Sequence, residues 1–560
     1  MSKTLKKSVA LVVVCLMLIP MMASFTAFAD EAKGVVTIDY YGMQNNRSSM
    51  DGFMNDYLEK KIGVRVNVIP WDNDKTQALL AGGDLPDIGR YYVNNSFFPV
   101  VQTGLVMDLS DYTDKFPNLT EKWPQAIDFA RNVICQGEGL YCVPLEIGTY
   151  NSMPIDTGTY ACQVRWDVYK ALGCPEVNNT DDLIALMKAM MEYMPELEDG
   201  TKTWGLAAFP EWDGSNQMSA TGKIADISGV QMNIGNSLME YDIPNDELRK
   251  QIDKDSTYIK GVKFLFDCQQ AGVLDPDSVT QTYNATQAKY KLGSIMVAMT
   301  GNYVDSYTSA HGDDDPANGY MPLVNDWIKP VVNGPQVIGG SNTSIIAVSA
   351  STEKLDACLA FINEMYDEHT MLTMYNGPQG EMWDVVDGKL VSLEGFENMR
   401  TTGSHKLESG EVLENGQFWS AWGWTNDTLT SYGEPVRQGE WSTTALANTS
   451  SKVYEEWRAY SGYQLPIEAY KDKGTLNYRA LATRFMPPLD DDMQMIRTSV
   501  GEVVVAESWK MVYAKDEAEF WSIFEGMREK CEGLGIAMLE EACVANWDVA
   551  KAAAAPYELK

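Results

Sequence analysis

The residue types that most often carry catalysis form few informative patterns in this 560-residue sequence. Its three histidines are His311, His369 and His405, and it contains neither a GxSxG nor an HExxH motif. A Ser-His-Asp hydrolase and a zinc protease are therefore not predicted. A nucleotide-binding P-loop is excluded as well, because Gly222-Lys223-Ile224 lacks the upstream glycine and the hydroxyl residue after the lysine.

Carboxylates are abundant, with 78 Asp and Glu residues. A glycoside-hydrolysing enzyme needs two of them about 5–10 Å apart. The candidates are Glu146, Asp156, Glu211 and Asp213. A chain with this many acidic residues always offers such pairs. The candidate carboxylates therefore leave a secreted polysaccharide-active enzyme open as an alternative function but do not favour it.

Aromatic residues give a more specific signal. The 15 Trp and 28 Tyr residues exceed what a core requires, because the polar ends of both side chains need partners when buried. Many stand beside Gly, Asn or Asp in loop-like stretches: Trp71-Asp72-Asn73, Trp212-Asp213-Gly214, Gly301-Asn302-Tyr303, Trp383-Asp384 and Trp422-Gly423-Trp424. A sugar has an apolar C–H face and a rim of hydroxyls, and aromatic rings beside amides and carboxylates match both. As a set they predict a polar, uncharged, carbohydrate-like ligand, although any one of them could be a packing residue.

The net charge of the chain argues against several classes of binding partner. Its 44 Lys and Arg residues against 78 Asp and Glu residues give a formal charge of −34. Nucleic-acid binding requires clustered basic residues to neutralise phosphates, and anionic membranes attract the same residues. Neither partner is predicted, and long-range electrostatics also disfavour polyanionic ligands unless a local basic pocket exists.

The N-terminus has the order of a secretory signal peptide. Met1–Lys7 is basic, Val9–Pro20 is apolar, and Ala27-Phe28-Ala29 is a small-x-small cleavage motif. The apolar run falls short of the ~20 residues that span a bilayer. Residues 1–29 are therefore predicted to be removed by cleavage after Ala29, which places the mature chain outside the cytoplasmic membrane.

Nine cysteines add little chemistry. Cys15 follows Val14 inside the apolar run rather than a small residue at its end, so no lipid anchor is predicted. Of the eight later cysteines, Cys358 and Cys531 fall on apolar stripes of predicted helices, where free thiols pack as small hydrophobes. Cys135–Cys142 is the favoured disulfide. Without a CxxC motif, and with three histidines, a zinc site is not predicted.

The elements that would position these residues are those of an α/β chain. Val35–Tyr41 and Val64–Ile69 have strand patterns, and Met50–Ile62 between them is an amphipathic helix with Ser49 as N-cap and Gly63 as its stop. Such a βαβ unit predicts a parallel strand pair. Further predicted elements are a helix at Asp74–Ala81, a short strand ending at Ile88, a helix capped by Thr180, a helix at Tyr258–Gln270, a strand at Ser294–Met299, and helices at Leu355–Tyr366 and Glu517–Leu534. Residues 392–474 are predicted to be long loops with short helices.

An ordered series of weak motifs carries a family resemblance. The series is Ala81-Gly82-Gly83-Asp84-Leu85-Pro86-Asp87-Ile88, Met107-Asp108-Leu109-Ser110, Gly139-Leu140-Tyr141-Cys142-Val143-Pro144, Val164-Arg165-Trp166-Asp167-Val168-Tyr169-Lys170-Ala171-Leu172-Gly173, Asn179-Thr180-Asp181-Asp182-Leu183, Ala271-Gly272-Val273-Leu274-Asp275-Pro276, Asn376-Gly377-Pro378-Gln379-Gly380-Glu381-Met382-Trp383 and the Glu519-Phe520-Trp521 helix. In this order the chain resembles extracellular solute-binding protein family 1, the capture component of ABC sugar importers, above all its long Gram-positive subfamily. It departs from the family in lacking a lipobox cysteine. It also departs from the long relatives that bind calcium, because Pro195–Lys202 lacks their alternating oxygen ligands.

The resemblance implies a two-lobed, periplasmic-binding-protein-like (type II) α/β fold with a hinge and a ligand cleft between the lobes. The first lobe is expected to use residues 30–150 and 297–350, and the larger, more helical second lobe residues 151–296 and 351–560. The resemblance also implies an oligosaccharide ligand, an ABC transporter permease as partner, a monomer, and neither a cofactor nor a metal.

The ligand-binding residues that the resemblance and their chemistry suggest lie on both lobes. They are Tyr41, Trp71 and Asp84 on the first lobe, Arg165 and Trp166 near a crossover, Asn302 and Tyr303 near the return, and Trp212, Gln379 and Trp383 on the second lobe. The aromatic residues would stack on sugar rings, and the polar ones would hydrogen-bond hydroxyls. For Arg165 an inter-lobe or crossover salt bridge is the alternative role. An adhesion or sensing protein that keeps the fold without a transporter is the third function left open.

Overall fold

The protein is described here from a computed structural model. It covers residues 34–42, 50–70, 72–92, 97–148, 162–214, 217–299, 307, 311, 319–332, 344–414, 423–425, 428–441, 452–487 and 489–558. Within these ranges, no helix combines the length and the apolar character needed to cross a bilayer.

The strands are short and spread along the chain. They are β1 Val36–Tyr41, β2 Val64–Ile69, β3 Ile88–Tyr92, β4 Val143–Pro144, β5 Gln163–Arg165, β6 Val230–Gln231, β7 Met239–Asp242, β8 Glu247–Lys250, β9 Val297–Ala298, β10 Tyr320–Pro322, β11 Val331–Val332, β12 Ser344–Val348, β13 Trp383–Val386, β14 Lys389–Ser392, β15 Ser404–Lys406, β16 Val412–Glu414 and β17 Asn477–Tyr478.

The α-helices alternate with these strands and dominate the C-terminal third. They are α1 Phe53–Ile62, α2 Asn73–Gly82, α3 Phe98–Gln102, α4 Pro117–Thr120, α5 Pro124–Phe129, α6 Trp166–Ala171, α7 Thr180–Tyr193, α8 Ser219–Asp226, α9 Thr257–Gln270, α10 Tyr283–Leu292, α11 Leu355–Glu364, α12 Glu368–Asn376, α13 Glu394–Thr402, α14 Lys452–Ser461, α15 Pro466–Asp472, α16 Asp491–Val512, α17 Glu517–Gly533 and α18 Ile536–Ala554. A further short helix of the 3-10 type, Leu481–Phe485, matters below.

The first sheet has five strands in the order β2-β1-β3-β12-β4. Strands β1, β2 and β3 are parallel, and β12 runs antiparallel to both β3 and β4. It follows that β4 points the same way as β1, β2 and β3. The carboxyl ends of these four strands therefore meet at one edge of the sheet.

The βαβ unit that opens this sheet has the local signals that the sequence predicts. Helix α1 ends where Gly63 adopts a left-handed backbone with φ 69°, and its N–H bonds the carbonyl of Glu59. The helix is fixed to β2 by the buried amide of Asn55, which accepts the N–H of Val66 at 2.7 Å and donates to its carbonyl at 3.1 Å. The parallel pairing of β1 with β2 is thus confirmed.

The second sheet is built on β5, which pairs antiparallel with β9 on one side and β10 on the other. Residues 204–206 extend it, because Trp204 bridges Ile295 and Leu206 bridges Leu274, both in parallel. Residues 204–206 and β9 consequently end at the same edge of this sheet, whereas β5 ends at the opposite edge.

Two large hydrophobic cores accompany the two sheets, and a third, smaller cluster around Phe209 and Tyr290 lies beside the second sheet. The first core takes its buried residues chiefly from 38–147 and 345–441, with part of helix α18. The second core takes them from 162–328 and 453–539. The chain therefore passes between the two sheets several times, as the predicted two-lobed arrangement requires.

The strand pairing differs from the expected lobe division in two segments. Strands β9 and β10 fall within 297–350, which we expected in the first lobe, but they pair with β5 in the second sheet, and only β12 joins the first. Conversely, buried residues of α11, α12 and β13 belong to the first core, although 351–560 was expected in the second lobe. Apolar strands of similar composition do not reveal from sequence which sheet they join.

Several predicted element boundaries also shift, for local reasons. Helix α1 begins at Phe53 rather than Met50, because Gly52 has a non-helical backbone with φ 82° at its N-cap. The strand expected to end at Ile88 instead begins there. The thiols of Cys358 and Cys531 are buried on α11 and α17, as predicted.

Candidate ligand-binding site

The carboxyl edge of the first sheet is the first half of the candidate site, because ligands of open α/β sheets bind outside the carboxyl ends of their strands. Tyr41 ends β1 at this edge and is almost fully buried. Its hydroxyl donates to the carbonyl of Asp72 at 2.8 Å and accepts the N–H of Asp72 at 3.2 Å. Tyr41 thereby braces the start of α2, where the side chain of Asp72 caps the N–H of Lys75.

A charged cluster lies at the same edge. Arg90 in β3 is buried and donates to the hydroxyl of Ser344 at 2.7 Å. Glu146 follows β4, and burial raises the pKa of its carboxyl group, while the charges of Arg90 and Arg484 oppose that rise. Arg90 and Arg484 were not singled out from the sequence. An arginine inside an apolar strand such as Ile88–Tyr92 is the signal that could have identified the first.

The carboxyl edge of the second sheet carries an aromatic cluster. Phe209 and Trp212 follow the segment 204–206, and the ring centroids of Trp212 and Tyr283 are 4.5 Å apart at an interplanar angle of 23°. Phe209 meets both rings edge-on, at 5.1 Å and 5.6 Å. Trp212 remains 44% exposed. We call Phe209, Trp212 and Tyr283 the aromatic platform.

A pocket opens beside the aromatic platform. It is lined by Leu206, Ala207, Ala208, Phe209, Trp212, Ser219, Ala220, Ile224, Leu265, Tyr290 and Met299. Met299 directly follows β9, so both parallel segments of this sheet contribute to the pocket at their carboxyl ends. A largely apolar wall with an exposed indole suits the C–H face of a sugar ring.

Three of the predicted site residues lie at the opposite edges of the two sheets. Asp84 is exposed in the loop before the amino end of β3. Arg165 ends β5 and Trp166 follows it, and this end lies away from Met299 because β5 runs antiparallel to β9. The structure therefore does not bring these three residues together with Tyr41 or Trp212.

Arg165 and Trp166 are engaged within the second lobe. The guanidinium of Arg165 forms a bidentate ion pair with Asp167, with N–O distances of 3.2 Å and 2.5 Å, and donates to the carbonyl of Gly293 at 2.6 Å. The ion pair that we weighed as an alternative role for Arg165 is thus present, although inside one lobe. Trp166 is buried between the rings of Tyr169 and Tyr460.

Trp383 packs in the first core, and the exposed Gln379 lies close to it in the chain, whereas we expected both residues in the second lobe. Trp383 is fully buried, and its indole N–H donates to the carbonyl of Gly377 at 2.9 Å. Gln379 is exposed and hydrogen-bonds His369 and Asp384 on the outer face of α12. Trp71, Asn302 and Tyr303 lie outside the described residues.

The acidic candidates near the aromatic platform have structural partners. The carboxylate of Glu211 accepts the N–H of Tyr283 at 2.6 Å. Asp213 accepts the indole N–H of Trp509 at 2.6 Å and the N–H of Ser219 at 2.8 Å. Burial raises the pKa of Asp213, and these two hydrogen bonds oppose the rise. Asp156 lies outside the described residues, and within those that are described no three His, Cys, Asp or Glu side chains gather as metal ligands.

Comparison with known proteins places this geometry in a fold family. No family model matches the chain. Over 352 residues it is 25% identical to lipoprotein LipO of Bacillus subtilis, which covers 60% of this chain and 65% of LipO. The match thus spans less than two thirds of that relative's length. LipO is a lipoprotein, and this speaks against our expectation that the present chain carries no lipid anchor. The residues on which that expectation depends, Cys15 and Ala29, lie outside the described residues.

Solved structures match nearly the whole chain. A solute-binding protein from Bifidobacterium longum infantis, described as HMO-binding and ABC-transporter associated, superimposes with a TM-score of 0.61 at 14% identity, covering 93% of this chain and 99% of that one. The substrate-binding protein FusA of Streptococcus pneumoniae, in complex with kestose, gives 0.59 at 14% identity, covering 92% and 100%. The chain therefore has the two-lobed α/β fold of the extracellular solute-binding proteins, as the motif series predicted.

Proposed function

We propose that this protein is the solute-binding component of an ABC importer and captures a neutral oligosaccharide between its two lobes. The observation that carries the proposal is the placement of Trp212 within the aromatic platform, at the carboxyl edge of a sheet in a solute-binding fold. One similar structure is described as HMO-binding and another is a complex with kestose, which supports a sugar as ligand. The importer's permease would be the partner, and the working form would be a monomer.

Capture would proceed by hinge closure. A solute that contacts both lobes stabilises the closed state by its differential affinity for that state. We propose a first lobe built chiefly of residues 34–148 and 344–441 and a second lobe built chiefly of residues 162–328 and 453–539, a division that follows most of the two cores. Five residues of the second set of ranges pack in the first core instead: Ile234, Met239, Tyr241, Leu481 and Ala482.

We propose no catalytic step. Glu211 and Asp213, which flank Trp212 in the sequence, accept hydrogen bonds from backbone and indole donors. Export by a signal peptide cleaved after Ala29 completes the proposal, since an importer's capture protein works outside the cytoplasmic membrane.

A thermal-shift screen of the mature protein against kestose, maltotriose, xylotriose and other neutral oligosaccharides tests the function. A solute at 100 times its Kd adds about 2.7 kcal/mol of apparent stability, which raises the melting temperature. Trp212→Ala should weaken binding about tenfold to a hundredfold, because it removes the exposed ring of the aromatic platform.

Tyr193→Ala is the matched control, since Tyr193 is an exposed aromatic residue at the end of α7, away from the aromatic platform. It should bind like the wild type. Release of reducing sugar from any oligosaccharide in the panel, or a panel in which only acidic oligosaccharides stabilise the protein, would contradict the proposal.

A further inference from the structure

The pocket beside the aromatic platform has an almost wholly apolar wall. Apart from Ser219, every described residue that lines it has an apolar or aromatic side chain, and none of them is charged. Three of these residues are alanines, whose small side chains leave room in the wall: Ala207, Ala208 and Ala220. Such a space favours a hydrocarbon group over a hydroxyl, because a hydroxyl would lose its water there without gaining a partner.

Ser219 provides a hydrogen-bond donor at this wall. Its backbone N–H donates to the carboxylate of Asp213 at 2.8 Å. Its hydroxyl makes no hydrogen bond within the described part of the chain. The hydroxyl of Tyr290, which also lines the pocket, already donates to the carbonyl of Val297 at 3.0 Å. The pocket therefore combines apolar room with one serine hydroxyl that is able to donate.

The pocket is continuous with the aromatic platform. Phe209 and Trp212 belong to both, and Trp212 is the exposed ring on which a sugar would pack. A sugar ring on Trp212 would thus present a substituent to the pocket. A hydroxyl is too short to fill such a space, whereas a substituent that carries a methyl group can reach into it.

We propose that the pocket receives an acetamido group of the captured sugar, so that the protein selects oligosaccharides with N-acetylated residues. This rests on the proposed function and deepens it. The methyl group would enter the space beside the three alanines, and the carbonyl oxygen would accept a hydrogen bond from the hydroxyl of Ser219. An amide needs such a donor when it leaves water.

Two other substituents fit the pocket less well. An anionic group beside Ser219 would be repelled by the carboxylate of Asp213, which is bonded to the same residue. The methyl group of a 6-deoxy sugar would fill the apolar room, but it would leave the hydroxyl of Ser219 without a partner. Only the acetamido group uses both features of the pocket.

The test measures the affinity of the mature protein for matched pairs of oligosaccharides by isothermal titration calorimetry. Triacetylchitotriose is compared with cellotriose, and N-acetyllactosamine with lactose, because the members of each pair differ only in having acetamido or hydroxyl groups at carbon 2 of their glucose units. In at least one pair the acetamido member should bind about tenfold more tightly, through its buried methyl group and its hydrogen bond. Binding of 2′-fucosyllactose against lactose measures the preference for a deoxy sugar.

Two variants place the preference in this pocket. Ala220→Leu fills the room, and Ser219→Ala removes the donor, so each should reduce the acetamido preference to within about threefold. Ala171→Leu is the matched control, because Ala171 is an exposed alanine at the end of α6, at the opposite edge of the second sheet. It should leave both affinities of each pair unchanged. Melting of each unliganded variant checks that it folds.

The outcomes separate this proposal from the capture function. If neither pair shows a preference while another neutral oligosaccharide binds, the acetamido pocket is refuted and capture stands. A preference for 2′-fucosyllactose alone would assign the pocket to a deoxy sugar and overturn the proposal. Full retention of the acetamido preference in both Ala220→Leu and Ser219→Ala would also overturn it. If the wild-type protein binds no oligosaccharide at all, both proposals fall.

Discussion

At the scale of single residues, the same short pattern serves opposite purposes. Trp212-Asp213 and Trp383-Asp384 are identical dipeptides, yet Trp212 is exposed on the aromatic platform and Trp383 is completely buried in the first core. Both were predicted to bind the ligand. The sequence could identify aromatic residues beside polar ones, but it could not tell which indoles the tertiary packing would cover.

In the Asp84-Leu85-Pro86-Asp87 motif, one aspartate is exposed and the other has a structural role. Asp84, the predicted ligand-binding residue, is exposed. The carboxylate of Asp87 instead accepts the N–H of Asp39 in β1 at 2.8 Å, the hydroxyl of Thr352 at 2.6 Å and the ammonium of Lys354 at 2.8 Å. Asp87 thus connects its own turn with strand β1 and with residues 352–354.

Asp87→Ala should therefore destabilise the protein by about 2–3 kcal/mol, because several donors lose a charged acceptor. Burial alone would raise the pKa of Asp87, but the bonds from Lys354, Thr352 and Asp39 outweigh burial and lower it. Its contribution is consequently present above the carboxyl group's ordinary pKa and is lost as the pH falls through the lowered value.

Urea unfolding at neutral and acidic pH measures both effects. Asp84→Ala serves as the control and should stay within about 0.5 kcal/mol of the wild type, as exposed substitutions do. Equal losses for the two variants would remove the distinction between the two aspartates.

At the scale of elements, local signals were predictable and distant pairings were not. The unit β1-α1-β2 spans only about 35 residues, and its strand alternation and the glycine that ends its helix are visible in the sequence. Its parallel strand pairing could therefore be predicted. The partner of β12 lies some 250 residues upstream in β3. The charged cluster of Glu146, Arg90 and Arg484 was not predictable for the same reason, since its members come from distant segments.

The loop before β4 offers a test at this scale. The sulfur atoms of Cys135 and Cys142 lie 3.8 Å apart, and both side chains are buried. A hydrogen bond from Cys142 lowers the pKa of the Cys135 thiol against the effect of burial. Exchange with oxidised glutathione would join the two sulfurs and release two molecules of reduced glutathione.

We expect the purified exported protein to contain this disulfide, which closes a short loop and contributes about 2–3 kcal/mol. Peptide mapping without reductant should find the cross-linked pair, and dithiothreitol should lower the melting temperature. Cys358→Ser should retain that sensitivity to reductant, while Cys142→Ser should lose it. Recovery of all eight cysteines as free thiols would exclude the bridge.

At the scale of the whole molecule, the number of lobes was predictable from the motif series, whereas their membership was not. Both sheets draw strands from several parts of the chain, and each connection looks like an ordinary loop in the sequence. The whole chain also raises the question of its anchorage, because the leader predicts a soluble product and the relative LipO is a lipoprotein.

Intact-mass analysis of the protein secreted by an expressing bacterium answers that question. We expect the mass of residues 30–560, because Ala27-Phe28-Ala29 is the cleavage motif and Cys15 lacks a lipobox context. Ala29→Leu should retain the uncleaved leader, and Cys15→Ser should change nothing. Partition into detergent together with a diacylglycerol mass increment on the wild type would overturn this expectation.

Helix α18 has a consequence for how the molecule is made. Its buried side chains Cys543, Trp547, Ala550 and Ala554 complete the first core, whose sheet is already finished at residue 348. During synthesis, about two hundred further residues follow β12 before helix α18, which completes the first core, is made. Contacts so distant along the chain form slowly, because the intervening segment must be ordered before they are gained. The first core can therefore be completed only after this C-terminal helix has been synthesised.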